Sequence, residues 1–173
     1  GLADDDSGNR NVFIGTDAGR ANTTGADNTF VGHFAGRKVT TGPRNTALGR
    51  YSLQNNLTGM NNTAIGNGAL ANSTASDNTA LGVSALGSNS TGSLNVAIGI
   101  SAIGSANTGN QNTAIGNYAL RLNTGGYNNE SVGFRNLYSN TTGYRNVAFG
   151  TDALYSNTIG HNNTAIGTEA MYS

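Results

Sequence analysis

The residues of this sequence whose types and spacing could do chemistry are aromatic and lie towards its C-terminal end. They form two series with an interval of 17 residues, with two arginines nearby: Tyr138, Tyr155 and Tyr172; Tyr127, Tyr144 and His161; Arg135 and Arg145. Aromatic rings offer rigid area with a polar tip, which is typical of surfaces that contact glycans or proteins. These eight residues are predicted to form a ligand surface. The alternative is that the rings stack only to stiffen an outer wall or a seam between chains.

A second candidate surface is basic and lies nearer the N-terminus. It consists of Arg37, Lys38, Arg44 and Arg50. Four cations within two repeats would suit an acidic glycan, although such residues also form ordinary solvated rims. Over the whole chain nine Lys and Arg balance nine Asp and Glu, so there is no basic field for nucleic acid and no polybasic attraction to a membrane.

Other chemistry has little support in the residues. His33 and His161 lie far apart, cysteine is absent and no serine occupies a nucleophile elbow, so no nucleophile–base pair can be proposed. The acidic run Asp4, Asp5 and Asp6 could hold Ca²⁺, but the spaced ligands of a calcium loop are missing and a solvated turn is favoured. The sequence predicts no enzyme, no metal site and no cofactor.

A repeat positions all of these side chains. The pentad N-x-x-(apolar)-G recurs ten times, at eight intervals of 17 residues and one of 16. Its invariant residues are Asn11 and Gly15, Asn28 and Gly32, Asn45 and Gly49, Asn62 and Gly66, Asn78 and Gly82, Asn95 and Gly99, Asn112 and Gly116, Asn129 and Gly133, Asn146 and Gly150, and Asn163 and Gly167. Places in each unit are numbered here from its asparagine, which is place one.

Composition favours many thin layers over one large core. The 173 residues include 26 Gly and 27 Asn, and only 36% are hydrophobic, which is low for a soluble domain. Gly, Asn, Ser and Thr at this density form helices poorly, and a 17-residue unit is too short for two-helix repeats. We therefore predict an all-β parallel β-solenoid of about ten coils. Its length would be on the order of 48 Å at a strand spacing of about 4.8 Å.

The pattern also predicts how each coil is built. Each unit reads as two short strands with two turns: the pentad, and an Ala-Leu segment three residues later, as at Ala69-Leu70. Period-two geometry puts places two and four on one face, which we expect to be the thin interior. Place three, usually Ala, would point outwards, where another chain could pack. The asparagines would form an amide ladder at one corner of the coil.

The whole chain reads as a single domain. Residues 11–173 hold the ten repeats, and residues 1–10 fall into register as the closing half of an earlier coil. No capping unit is visible at either end, although solenoids normally need one. We therefore expect residues 1–173 to be a fragment of a longer fibre.

Units such as NTAIGNYAL at 112–120, with linking stretches such as SNTTG at 139–143, resemble the head repeats of trimeric autotransporter adhesins of the YadA type. They resemble still more closely the NTAIG repeats of phage and phage-like tail fibres. The resemblance implies a left-handed β-roll in an intertwined or side-by-side homotrimer, without direct membrane contact. It also implies an extracellular place, on a bacterial surface fibre or a virion tail fibre.

Two classes of function follow as expectations. The first is a structural or adhesive fibre segment whose partners are itself and a host-cell or prey-cell surface glycan or protein. The second is an ice- or surface-binding solenoid, since an ordered threonine face can present a regular hydroxyl array. Threonine fills place two in six of ten pentads, but its sharing of a face with Ile suggests the interior and weighs against the second class.

Overall fold

The structure, a computed structural model, describes residues 10–173 and contains ten short strands in one parallel sheet. The strands are β1 (Val12–Ile14), β2 (Thr29–Val31), β3 (Thr46–Leu48), β4 (Thr63–Ile65), β5 (Thr79–Leu81), β6 (Val96–Ile98), β7 (Thr113–Ile115), β8 (Glu130–Val132), β9 (Val147–Phe149) and β10 (Thr164–Ile166). Their order in the sheet is their order in the chain. The predicted all-β parallel solenoid is confirmed. The earlier half-coil predicted at residues 1–10 and the acidic run Asp4, Asp5 and Asp6 lie, except for Arg10, outside the described residues.

The interval of the sequence repeat sets the register in which neighbouring strands of the sheet pair. Thr29 pairs with Thr46, and Thr46 pairs with Thr63. Across the 16-residue unit Thr63 pairs with Thr79, so the missing residue is absorbed outside the strands. Equal places therefore lie above one another, and each place forms a column along the rod.

The prediction of a second strand in each coil was wrong. Outside the pentads the described chain consists of turns and bends, and places seven and nine have positive φ even without glycine, as at Tyr51 (φ 60) and Leu53 (φ 51). Residues in this left-handed region cannot continue an extended strand. Their backbone groups still bond from coil to coil, for example from Leu53 N–H to the Ala69 carbonyl at 2.9 Å.

The orientation of the pentads is the reverse of the prediction. Place three points inwards: Ala64, Ala80 and Ala97 are fully buried. Places two and four point outwards, and Leu48 at place four is 47% exposed. The interior has room for only a methyl group at place three, because Leu or Ile at place nine fills it from the opposite wall, as Leu70 does. No other chain can pack on place three.

Two coils fill the same interior in a different way. Phe13 and Phe30 occupy place three, and their rings stack at 5.1 Å between centroids. The place-nine residues of these coils are Gly19 and Gly36. A Cβ at Gly19 would lie 2.6 Å from the Phe13 ring, and a Cβ at Gly36 would collide with the Phe30 ring. A large side chain at place three therefore requires glycine at place nine, so that the side chains of each layer fill nearly the same interior volume.

The predicted ladder of place-one asparagines is confirmed. The Asn112 Oδ1 atom accepts a hydrogen bond from the Asn129 backbone N–H at 3.1 Å, and Asn112 Nδ2 donates to the Gly126 carbonyl at 2.8 Å. Both asparagines are fully buried. The Asn112 amide thus satisfies the Asn129 N–H, which has no other partner, and shares the Gly126 carbonyl with Asn123 Nδ2, which donates to it at 3.0 Å.

A second amide ladder was missed by the sequence analysis. In this ladder the Nδ2 atom of each asparagine after the first donates to the Oδ1 atom of the one before it, at 2.9–3.0 Å: Asn89, Asn107, Asn123, Asn140 and Asn157. Most of them occupy place twelve, but Asn107 is displaced by one residue, and Val39 and Ser73 replace asparagine in other coils. That irregularity hid the column from a search for fixed spacing.

We expect Asn112→Ala to lower the free energy of unfolding by about 1–3 kcal/mol, because it leaves the Asn129 N–H buried without a partner. Asn67→Ala is the matched control, since Asn67 is exposed, and a change within about 0.5 kcal/mol is expected there. Urea denaturation at one protein concentration measures both. Equal midpoints for the two variants would contradict a stabilising role for the ladder.

Candidate ligand-binding groove

The turns after each pentad build the wall opposite the sheet. In this wall the side chain at place nine points into the interior of the coil. The side chains at places seven and ten point outwards from the same wall. The place-seven column is Asp17, Phe34, Tyr51, Gly68, Ser84, Ser101, Tyr118, Arg135, Asp152 and Glu169. The place-ten column is Arg20, Arg37, Gln54, Ala71, Gly87, Gly104, Arg121, Tyr138, Tyr155 and Tyr172. The sizes of the side chains along these two columns determine where the surface of the wall has depressions.

Three depressions follow one another along these columns, and together they are called the axial groove here. The first has a volume of about 350 Å³ and is lined by Arg20, Ala21, Arg37 and Lys38. The central one, of about 400 Å³, runs from Tyr51 to Arg121 over a floor of small residues. The third, of about 240 Å³, lies among Tyr118, Phe134, Arg135, Tyr138 and Tyr155.

The central floor is hollow because its side chains are small. It consists of Gly68, Ala71, Ser84, Gly87, Ser101 and Gly104. At its C-terminal end Arg121 folds over Gly104, where a Cβ would lie 2.5 Å from the Arg121 Nη1 atom. The large residues Tyr51 and Arg121 thus close the two ends of a polar trough.

The predicted place-ten ladder forms at the C-terminal end of the groove. Tyr138 and Tyr155 stack at 5.1 Å between ring centroids, and Tyr155 and Tyr172 stack at 5.0 Å. Stacking covers most ring faces, so the ladder presents ring edges and a row of hydroxyl groups. The hydroxyls of Tyr138 and Tyr155 have no hydrogen-bond partner among residues 10–173, which leaves them open to a ligand.

Arg135 lies beside this ladder and is held by a carboxylate. Its Nη2 atom donates to the Asp152 Oδ2 atom at 2.7 Å, and this hydrogen bond raises the pKa of the Arg135 guanidinium. The guanidinium lies 4.8 Å from the Phe134 ring centroid and 5.4 Å from that of Tyr155. Because Asp152 compensates the charge, Arg135 acts here as a positioned hydrogen-bond donor.

The predicted single aromatic surface is divided into two clusters. Place sixteen holds a separate ladder, in which Tyr127 and Tyr144 stack at 4.9 Å and Tyr144 and His161 at 4.7 Å. Arg145 lies 6.0 Å from the Tyr144 ring centroid. The place-ten ladder lines a depression, whereas the place-sixteen ladder lines none of the three.

The predicted basic patch is also divided. Arg37 and Lys38 line the first depression together, and the Arg37 Nε atom lies 3.5 Å from the Asp17 Oδ2 atom. The other two arginines have different partners. Arg44 donates to the Asn61 Oδ1 atom at 2.7 Å, and Arg50 donates to the Tyr51 hydroxyl at 2.6 Å. The four residues therefore do not form one basic site.

Sequence reasoning missed Tyr118 and Phe134 as parts of the third depression, and Asp152 as the partner of Arg135. Tyr118 and Phe134 contact each other edge to face at 6.3 Å between centroids. Tyr118, Arg135 and Asp152 are consecutive members of the place-seven column, so comparison of that column with place ten would have grouped them with the tyrosines.

The outward face of the sheet is the other feature available for binding. Its place-four column is aliphatic except for Phe149, and it includes Ile14 (47% exposed), Leu81 (43%) and Ile166 (74%). The place-two column is Thr or Val except for Glu130. Ten strands about 4.8 Å apart make this an apolar strip on the order of 48 Å long. Exposed apolar patches of such extent mark interaction surfaces.

Residues 10–173 offer no group of three or more His, Cys, Asp or Glu side chains that could hold a metal ion. Over the same residues, no helix has the length and hydropathy needed to cross a bilayer.

No protein-family model, curated protein or solved structure matches this chain.

Proposed function

We propose that this chain is a segment of a homotrimeric adhesive fibre on a bacterial surface or a virus-like tail. Three left-handed β-rolls pack side by side with their sheet faces together, and the opposite walls face outwards. Handedness, threefold symmetry and extracellular location rest on the resemblance of the repeats to trimeric adhesin heads and tail fibres. The observation that carries self-association is the exposed apolar strip formed by places two and four.

The strip has a composition that favours burial. Ile14, Leu48 and Leu81 are each more than 40% exposed, although aliphatic side chains gain about 1.5–3 kcal/mol from full burial. A coil with a thin interior has little other apolar surface to bury, so association supplies stabilisation that one chain lacks. The place-seventeen column beside the strip carries Arg10, Asp27 and other charged residues, which gives the strip a polar rim.

The occupant that fits this strip is another copy of the same chain. Rows of side chains repeat along it with the strand spacing of about 4.8 Å, and a second copy has rows at the same spacing. Every Thr or Val and every Ile or Leu can then meet an equivalent row over the whole length of the rod. Closed rings of identical subunits also avoid leaving part of the strip uncovered.

Adhesion is assigned to the opposite wall. The axial groove lies across the interior from the sheet, so it stays open when the strip is buried. Loops and turns held by a rigid scaffold are common places for recognition. The central depression and the third depression supply hydroxyl, amide and aromatic groups in a fixed array.

We expect the double variant Ile98→Lys and Ile115→Lys to dissociate the oligomer, because two charges would enter the middle of the buried strip. Leu122→Lys is the matched control, since Leu122 is 38% exposed but lies outside the pentads. Light scattering after gel filtration should give a mass of one chain for the double variant and three chains for the control. Equal masses for the two proteins would count against the strip as the interface.

The exposed threonines support a second candidate, an ice- or crystal-surface binder. The sequence argument against it assumed that place two faces the interior, and the structure places these threonines on the outward face: Thr29, Thr46, Thr63, Thr79, Thr113 and Thr164. Four of them, Thr29 to Thr79, are consecutive in register. Thermal hysteresis at micromolar concentration from a monomeric chain would favour this candidate, and its absence from a trimer would favour the fibre.

A further inference from the structure

We propose that the axial groove binds a linear, uncharged saccharide chain, laid along the rod from the central depression into the third. The inference deepens the proposed adhesive function by naming the class of ligand. It does not depend on the number of chains in the fibre, because each chain carries the whole groove.

The shape of the groove favours a long ligand. The central depression extends from Tyr51 to Arg121, which are four coils apart, and its length is about 19 Å at a spacing of about 4.8 Å per coil. The third depression continues at Tyr118 and Tyr138, the next members of the same two columns. A ligand that fills both must be extended, must run parallel to the rod and must pass over Arg121, which closes the end of the central depression.

The groups along the groove favour a ligand rich in hydroxyl groups. Ser84 and Ser101 lie on the floor, Gln54 and Asn72 line it, and the serine hydroxyls bond no other residue of 10–173. The tyrosine hydroxyls of the place-ten ladder continue this row at intervals of about 5 Å, as the ring centroids do. Such a row can exchange hydrogen bonds with successive sugar units, while the ring edges contact their apolar faces.

The backbone of the wall argues against an extended peptide. Peptides that add to β-structures bond free strand edges, but the backbone groups here already bond from coil to coil. The Tyr118 N–H donates to the Ile100 carbonyl at 2.9 Å, and the Leu120 N–H donates to the Asn136 carbonyl at 3.0 Å. At these positions no free strand edge is left for a peptide to extend.

The charges favour a neutral chain over an acidic one. Arg135 is compensated by Asp152 at 2.7 Å, and among the residues that line the central depression only Arg121, at its end, is charged. The basic side chains Arg20, Arg37 and Lys38 line the first depression, outside the proposed binding region. Binding should therefore depend little on salt concentration.

The experiment fills the groove with a residue that the repeat already accepts. In the double variant Ser84→Tyr and Ser101→Tyr, tyrosine enters place seven, where Tyr51 and Tyr118 already have φ 60 and 62. Ser93→Tyr is the matched control, because it puts tyrosine at place sixteen, as in Tyr127. The probes are cellohexaose and chitohexaose as neutral chains and a hyaluronan hexasaccharide as the acidic chain, titrated calorimetrically at low and at high salt.

We expect at least one neutral hexasaccharide to bind the unmodified chain and the Ser93→Tyr control equally at both salt concentrations, with at least tenfold weaker binding to the double variant. No neutral binding, unchanged binding to the filled groove, or a salt-sensitive preference for hyaluronan would overturn the proposal. The mass of each protein is measured in the same samples. A trimer that binds no neutral saccharide refutes this inference alone, whereas a saccharide-binding monomer refutes the trimer alone.

Discussion

Gly99→Ala is expected to lower the free energy of unfolding by more than about 4 kcal/mol, which is exceptional for a single methyl group. Gly99 has φ +129, and a Cβ there would lie 2.6 Å from both the carbonyl carbon and oxygen of Gly116 in the next coil. The backbone conformation alone costs about 1–3 kcal/mol for a residue with a side chain. The overlap is with backbone, so relief requires two coils to separate.

Alanine substitutions at three other glycines distinguish the cost of a positive φ from the cost of a Cβ that overlaps the next coil. Gly68 has φ +68, but its nearest neighbour would be the Ser84 hydroxyl at 3.6 Å, so Gly68→Ala is expected to cost about 1 kcal/mol. Gly109 has ordinary φ, but its Cβ would overlap the Gly126 carbonyl oxygen, so Gly109→Ala is expected to be severe. Gly125 has neither problem, since its nearest contacts are at 3.7 and 3.9 Å, and Gly125→Ala should be neutral or slightly stabilising.

Urea midpoints of the four alanine variants at one protein concentration test this ranking. A Gly99→Ala protein as stable as Gly125→Ala would show that adjacent coils are not in the close contact described here. Equal effects at Gly68 and Gly99 would instead assign the whole cost to backbone conformation.

Phe30→Ala is expected to cost about 3–5 kcal/mol, because Phe30 is fully buried and stacks on Phe13. Gly36→Leu alone should also destabilise the chain, since the new side chain would collide with the Phe30 ring. The double variant recreates the Ala and Leu arrangement of other coils, in which Leu53 has φ 51, close to the φ 56 of Gly36. It should therefore recover most of the lost stability.

Thermal or urea unfolding of the unmodified chain, both single variants and the double variant forms a complete cycle. The expected coupling is strongly favourable, so the double variant is more stable than either single variant. Additive losses would contradict the view that one limited interior volume is shared by places three and nine.

The period of the sequence was enough to predict the stacking. Identical units at a fixed interval bring equal residues together, so the register of Thr46 on Thr63 and the ladder through Asn112 followed directly. Period-two alternation also grouped places two and four correctly. It could not say which face is inside, and the usual expectation that larger aliphatic residues face inwards was wrong here.

Places two and four face outwards because the distance between the two walls of a coil is short. Leucine from place nine fills it, and only a methyl group fits opposite at place three. The sequence contains a signal for this limit: both coils with phenylalanine at place three, Phe13 and Phe30, have glycine six residues later. Paired changes of this kind indicate contact across an interior more directly than hydropathy does.

The candidate site was predicted in part. Spacing alone predicted the stacking of Tyr138 on Tyr155 and of Tyr127 on Tyr144. It did not predict the groove, because a trough arises from small residues such as Gly87 and Gly104, which carry no chemical signal of their own. The assignment of places seven and ten to one wall also depended on the turn conformations, which the pattern did not show.

The central claim is that the apolar strip of the sheet is buried between copies of the chain. Sedimentation equilibrium of the unmodified chain, over a range of micromolar concentrations, tests it most directly. The expected mass is three times 17.6 kDa at every concentration. A mass of 17.6 kDa throughout that range would contradict the claim.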